Sequence, residues 1–309
     1  MTDLTAPHFT DADKAREYLE ALRWPNGVTC PHCGAVGEHY QLQGKAHRPG
    51  LWKCKDCREQ FSVTVGTVFE SSKVALNKWL LAVHLMCASK KGISAHQVHR
   101  MLGVTYKTAW FMCHRIREAM KDENGGLLGG NGGAVEVDET YWGTSKPKGK
   151  TARGYAHKMK VVSLVERDGK KRSFRVANVD AKTLRPILKS QLSDKARLMT
   201  DEASAYTKVG REFAEHGVVV HSAKEYARGD VTTNTVESSF ALLKRGLTGT
   251  FHKVSEAHLQ RYATEFDFRW NHRAKMGYTD DMRAEALLGQ VGGKRLTYKG
   301  PHSQEATHL

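Results

Sequence analysis

Two cysteine pairs, Cys30-Pro-His-Cys33 and Cys54-Lys-Asp-Cys57, stand twenty residues apart and constrain this chain more than any other feature. A two-residue spacing lets both sulfurs of a turn face one tetrahedral ion, so four thiolates close a structural Zn²⁺ site. The competing reading, a redox pair or disulfides, is a poorer match to two such pairs at this spacing. His32 and His47 lie close enough in sequence to exchange as ligands, but four cysteines already fill the shell. Cys87 and Cys113 fall in apolar helical stretches and read as packing residues.

A ribbon of this kind accounts for only part of 309 residues, a length that suits about two domains of roughly 150 residues each. Lys and Arg number 48 against 33 acidic residues. Divided near residue 125, the excess is +5 before and +10 after, so it is spread over the chain and not gathered in a tail. Such a distribution suits an extended polyanion as partner. No apolar run approaches the roughly 18 residues of a membrane span, and Met1–Thr10 lacks the basic-then-apolar layout of a signal peptide. A cytoplasmic protein is expected, neither membrane-bound nor secreted.

The chain divides into five stretches. Residues 10–66 hold an N-terminal helix, capped by Thr10 and stopped by Pro25, then the ribbon, closed by a strand over Gln60–Val65. Residues 67–124 read as all-helical, opening at Ser71 or Ser72. Within them Ile93–Val104 and Thr105–Trp110 give a short helix, a Gly103 turn and a second helix, the pattern of a helix-turn-helix. That reading has Tyr106, Lys107 and Thr108 meet the DNA and Arg115 and Arg117 meet phosphates; a plain helical hairpin whose Trp110 and Ile116 only pack is the alternative. Residues 125–133 contain six glycines and read as a flexible linker. Residues 134–290 then switch to strands at 134–141, 160–165, 173–179, 196–200 and 218–220. Asp168-Gly169 makes a hairpin turn, a crossover helix carries Leu184, Ile187, Leu188 and Leu192, and helices are expected near 235–247 and 255–271. This order describes an α/β, RNase H-like layout with a mixed five-stranded sheet. Residues 291–309 read as a polar, frayed tail.

Three carboxylates sit where a metal-dependent phosphoryl-transfer site would use them. Asp138 lies late on the first strand, Asp201 just follows the fourth, and Glu237 begins a helix. Acids at strand ends project into the crevice of an open α/β sheet, and gathering them there is costly unless divalent cations neutralise them. Hard oxygen ligands with phosphate favour Mg²⁺, with Mn²⁺ able to substitute. Lys244, two turns after Glu237, returns almost to the same face about 10 Å along. Spacing alone does not separate these acids from their neighbours: alternation puts Glu136 on the face of Asp138, and Glu139 and Glu202 are adjacent. From Thr140 to Val165 the chain carries Lys146, Lys148, Lys150, Arg153, Lys158 and Lys160 and no acid, which reads as a mobile basic arm on phosphates or a solvated loop.

The segments Ala134–Gly143, Thr200-Asp201-Glu202, His221–Tyr226 and Asn234–Phe240, with Leu242–Gly246, resemble bacterial insertion-sequence DDE transposases of the ISXO type. The resemblance covers roughly residues 15–290. It implies an RNase H-like catalytic domain behind a zinc ribbon, with Asp138, Asp201 and Glu237 holding two Mg²⁺ or Mn²⁺ ions, Lys244 assisting, and His221 and Asn234 as auxiliary residues. The implied activity is cleavage at element ends and joining of the 3′-OH to target DNA. The implied partners are double-stranded DNA, as terminal inverted repeats and target, and a second protomer, on the bacterial nucleoid. A DNA-binding regulator with an inactive domain and a metal-dependent nuclease without strand transfer are the alternatives.

Overall fold

The structure, a computed structural model, describes residues 3–122, 125–144 and 154–297. The chain forms two compact units: residues 1–89, 93–120 and 279 onward make the first, and residues 90–92 and 121–278 the second.

The first unit begins with α1 (Pro7–Thr10) and α2 (Ala12–Arg23). Thr10 closes α1, and the cap of α2 is Asp11, whose carboxylate accepts the N–H groups of Asp13 and Lys14 at 2.8 Å each. The ribbon that follows is three antiparallel strands, β1 (Tyr40–Gln41), β2 (Trp52–Lys53) and β3 (Gln60–Phe61). The strand expected to reach Val65 stops at Phe61, because Ser62–Val65 folds into a turn closed by Val65 N–H on the Ser62 carbonyl. Helix α3 (Leu76–Ala88) starts later than Ser71 or Ser72: Ser71 is left-handed at φ 57°, and the Ser72 hydroxyl accepts from the Trp79 indole. Then come α4 (Ala95–Leu102), capped by Ser94 and ended by Gly103 at φ 60°, and α5 (Tyr106–Ala119), capped by Thr105. This is the expected helix, turn and helix.

The second unit is built on β4 (Ala134–Trp142), β5 (Met159–Glu166), β6 (Lys171–Val176), α6 (Ala181–Gln191), β7 (Arg197–Thr200), α7 (Ser204–Gly210) and β8 (Glu215–Val218). A short hairpin of β9 (Ala227–Arg228) and β10 (Val231–Thr232) leads into α8 (Asn234–Gly246), a π-turn over Leu247–Phe251, and α9 (Glu256–Asn271). The sheet order is β6-β5-β4-β7-β8, antiparallel through β6, β5 and β4 and parallel through β4, β7 and β8. It is the mixed α/β architecture of an RNase H-like domain. The fifth strand lies at 215–218 instead of 218–220, with Val219 N–H still reaching the Thr200 carbonyl.

Alternation decides which side chains meet which helices. Val135 and Val137 of β4 and Val162 and Leu164 of β5 pack under α6 and α7 with Leu184, Leu188 and Tyr206. Val161 lies on the opposite face with Leu243 of α8 and Leu259 and Phe266 of α9, and Val165 there meets Val236 and Phe240. Residues 136 and 138 therefore face α8. On this side Asp267 of α9 accepts from Ser173 N and Oγ at 2.6 and 2.7 Å and pairs with fully buried Lys171 at 3.4 Å, fixing α9 to β6.

The glycine segment is not a free linker. Leu128 is buried in the core, its N–H donates to Gln191 O and its carbonyl accepts from Ser193 N–H. At Gly129 (φ +71°) a Cβ would lie 2.4 Å from that of Ala196, so glycine here permits close packing. The chain beyond Tyr278 rejoins the first unit: α10 (Asp280–Gly289) donates Arg283 Nη1 to the Cys87 carbonyl at 2.8 Å. The expected frayed tail is docked as far as Lys294. Val291 is buried, Gly293 N–H reaches Gly66 O, and Lys294 Nζ donates to Ala119 O at 2.8 Å.

Candidate active site

Strand β4 pairs with β7 only as far as Glu136↔Met199. Continuing that register brings Asp138 level with Asp201, at the ends where the two strands part. The carboxyl of Asp138 is pushed up to about 7, first by burial and then by the charges of Glu139, Asp201 and Glu237, against the Glu139 N–H that its Oδ1 accepts at 2.7 Å. The acids of β4, of the residue after β7 and of α8 thus share one electrostatic environment. Asp201 Oδ1 is steadied by Ala203 N–H at 3.0 Å.

Glu237, in the first turn of α8, is about half exposed. Its Oε1 accepts the Thr233 hydroxyl at 2.8 Å and lies 3.4 Å from His221 Nε2. His221 is placed by its own backbone: Glu202 accepts the N–H groups of Ser222 and His221 at 2.9 and 2.8 Å, and these bonds hold the Glu202 carboxyl down at about 2. Glu139 leans the other way, accepting the Tyr206 hydroxyl at 2.8 Å and that of Tyr141 at 3.4 Å; burial raises it, with Asp201 adding to the shift.

Glu136 shares the face of Asp138 but has a different occupation. It is fully buried, and both its oxygens are used. Oε1 accepts Arg167 Nε at 2.8 Å and Thr235 Oγ1 at 3.0 Å; Oε2 accepts the N–H groups of Thr235 and Val236 at 2.7 and 3.0 Å. Asn234 is exposed at the start of α8, its N–H donating to Thr232 Oγ1. Lys244 is exposed two turns along the helix and makes no ion pair among the described residues.

Among the described residues, the four cysteines are the only group of three or more ligand-type side chains whose ligand atoms all lie within 4.8 Å of one another. Asp138, Asp201 and Glu237 spread wider than that. A pair of divalent ions about 4 Å apart, each about 2 Å from its oxygens, is served by carboxylates spread over about 8 Å. All-oxygen donors and a partly buried cluster of like charge suit hard divalent cations.

The ribbon sulfurs form a tighter set. Cys30–Cys57 and Cys33–Cys54 are each 3.7 Å apart, matching the edge of about 3.8 Å of a tetrahedron with 2.3 Å Zn–S bonds. Against its burial, the backbone N–H groups of Cys57 and Asp56 lower the Cys54 thiol to about 6, whereas, despite the N–H groups of Ala35 and Glu59, burial and the neighbouring sulfurs raise Cys33 and Cys57. The cluster fits structural zinc. His32 turns its Nε2 to the Gln60 carbonyl at 3.4 Å, and neither it nor His47 joins the cluster.

The residues expected to meet DNA separate into three groups. Tyr106 is exposed and stacked on His96 at 4.1 Å, and Lys107 is exposed beside it. Thr108 is half-buried, with its hydroxyl 2.8 Å from that of Thr105 in the helix cap. Arg115 and Arg117 are not surface residues at all, being 7% and 2% exposed. Met112–Arg117 are buried in succession, and Arg115 donates to the Glu70 carbonyl at 2.5 Å and lies over Trp79 and Phe111. Contact with phosphates is thereby removed from their roles. Lys146, Lys148, Lys150 and Arg153 lie outside the described residues. Sequence reasoning passed over Arg167, Thr233, Thr235 and Tyr206; the Thr-rich run Thr232–Thr235 before a helix was the available signal.

Compared with known proteins, residues 130–271 match the family described as ISXO2-like transposase domain, and residues 10–60 the transposase zinc-ribbon domain. The chain is also 32% identical over 277 residues to an "uncharacterized protein in transposable element ISH50" of Halobacterium salinarum, an alignment covering 84% of this chain and 91% of the relative.

Proposed function

The chain belongs to the ISXO2-like transposase family, and we propose from this that it cuts the DNA ends of its element and joins the freed 3′-OH to target DNA. The observation that supports the reading is the placement of the three acids on adjoining elements: the β4–β7 register brings Asp138 level with Asp201, and the first turn of α8, which carries Glu237, is bonded to β4 through Glu136.

In the first reaction the oxygen of water forms a bond to phosphorus in line with the departing 3′ oxygen, leaving a 5′ phosphate and a 3′ hydroxyl. In the second, that hydroxyl forms a bond to a target phosphorus and a target 3′ oxygen departs. Asp138, Asp201 and Glu237 would hold two Mg²⁺ or Mn²⁺ ions, which would supply charge neutralisation at the phosphate and activation of the attacking oxygen. Thr233 and His221 orient Glu237, and Lys244 and Asn234 border the DNA along α8. Tyr106 and Lys107 meet the terminal repeats, and the basic residues Lys146, Lys148, Lys150 and Arg153 meet backbone phosphates. Joining two ends calls for at least two protomers on the DNA. No helix among the described residues is long and apolar enough to cross a membrane.

The test uses labelled element-end DNA and a supercoiled plasmid with Mg²⁺. The wild-type chain is expected to give nicked ends and joined product. Asp138→Asn, Asp201→Asn and Glu237→Gln are each expected to lower both by about a thousandfold, an effect of the size seen when a main transition-state electrostatic contact is lost, with end binding retained. Normal cleavage by any one of the three removes that residue from the site, and cutting without joining leaves only a nuclease.

A further inference from the structure

The buried carboxylate of Glu136 has no place in the chemistry above, yet it lies two residues from Asp138 and its bonds end one residue from Glu237. We propose that Glu136 is a positioning residue: it sets the separation of the two metal-binding carboxylates by clamping the start of α8 to strand β4. The inference rests on the assignment of Asp138 and Glu237 as ligands.

Three elements meet at this carboxylate. Strand β4 is held on its far side by β5, through Glu136↔Val165 and Asp138↔Ser163, so Glu136 and Asp138 move as one body. The first N–H groups of a helix have no partner within it. In α8 those of Thr235 and Val236 are taken by Glu136 from across the sheet, with the Thr235 hydroxyl as a third donor. The residue at the cap position, Thr233, makes no capping bond and gives its hydroxyl to Glu237 instead. A negative charge at this end is further favoured by the helix dipole. Arg167, in the β5–β6 turn, completes the clamp by donating Nε to Glu136 and Nη2 to the Thr232 carbonyl, just before the helix, at 3.2 Å.

A carboxylate with no exposure and four donors cannot also be a metal ligand without giving up bonds that compensate its burial. Its alternative use is directional. An apolar residue of similar volume would hold β4 and α8 together but would leave α8 free to slide or turn, whereas four charge-assisted bonds fix both. Small displacements of α8 against β4 pass directly into the spacing between Asp138 and Glu237.

Glu136→Gln keeps the volume but turns one acceptor into a donor that faces helix N–H groups. Mn²⁺ binding is read by electron paramagnetic resonance on the full chain with element-end DNA, beside the Mg²⁺ dependence of cleavage and the melting curve. The expected result is about tenfold weaker Mn²⁺ binding and a matching rise in the Mg²⁺ requirement, as for partners that orient metal ligands from behind, with end binding unchanged. Thr235→Val removes one donor and is expected to shift both in the same direction by about threefold, and Thr235→Ser to restore them. A folded Glu136→Gln chain with native Mn²⁺ affinity overturns the inference. Should that variant not fold, native affinity in Thr235→Val overturns it equally. If Asp138→Asn abolishes Mn²⁺ binding while the Glu136 and Thr235 variants keep it, only this inference fails; if Asp138→Asn leaves binding intact, the ligand assignment fails first.

Discussion

Stripping zinc from the ribbon should unfold it locally. Its buried apolar cluster consists of Cys30, Cys54 and Phe61, two of which are ligands, with Trp24, Trp52 and other half-buried residues around them. Each of its three strands is two residues long, too short to persist as a free sheet. Phe61 contributes about 2–3 kcal/mol through its burial, while a structural zinc contributes about 10–16 kcal/mol. The metal is therefore the dominant stabilising term for residues 28–61. A strong chelator, or Cys54→Ala, is expected to bring the amides of this stretch to unprotected rates in hydrogen–deuterium exchange. Amides of β4, β5 and α6 should stay protected, since no ribbon residue belongs to their unit. Metal analysis should give one zinc per chain before treatment. Continued protection of residues 28–61 after complete removal of zinc would refute the reasoning.

Two further outcomes follow from packing and protonation. Gly246→Ala, a change that in an open helix adds up to about 1 kcal/mol, should here cost about 1–3 kcal/mol. The new Cβ would lie 2.2 Å from the Phe266 ring and 2.7 Å from the backbone oxygen of Lys91; a gain in urea resistance would contradict the crowding. Burial lowers the imidazole of His84, against the opposing charges of Asp281 and Asp280, and lowers that of His8 beside it, with His84 itself adding to the shift. A folded-state value below the unfolded one means that the folded unit binds fewer protons. Stability is then full above the ordinary value of 6.5 and falls as pH drops through it. Thermal melts between pH 7.5 and 5.5 should show a smaller loss for His84→Gln than for the unaltered chain, and equal slopes would exclude His84 as a contributor.

The zinc ligands were legible because chelation by a two-residue knuckle is a local geometric requirement. The succession of helix, turn and helix over α4 and α5 was legible for a similar reason: Ser94, Gly103 and Thr105 cap and punctuate their own helices within a few residues. Alternation along β4 told which of its residues share a face, while the order of strands in the sheet is seen only in the fold. Where the reading went astray, the cause lay in a distant partner. Arg115 and Arg117 looked like surface cations because nothing in α5 announces that its second half is enclosed. The six glycines of 125–133 looked flexible because Ala196, the neighbour that needs the missing Cβ of Gly129, lies elsewhere in the chain.

The amino-acid order by itself determined the metal-binding ribbon, the succession of helices and strands, and the presence of acids at the strand ends, since each depends on interactions within about one turn or one strand. Only the tertiary structure decided which of the acids is enclosed and bonded. Glu136 and Asp138 are equivalent under strand alternation, and they part company because residues 99 and 100 positions after Glu136, Thr235 and Val236, bring unpaired helix N–H groups to one and not the other. The fate of a carboxylate depends on the donors that meet it, and those are assembled by folding.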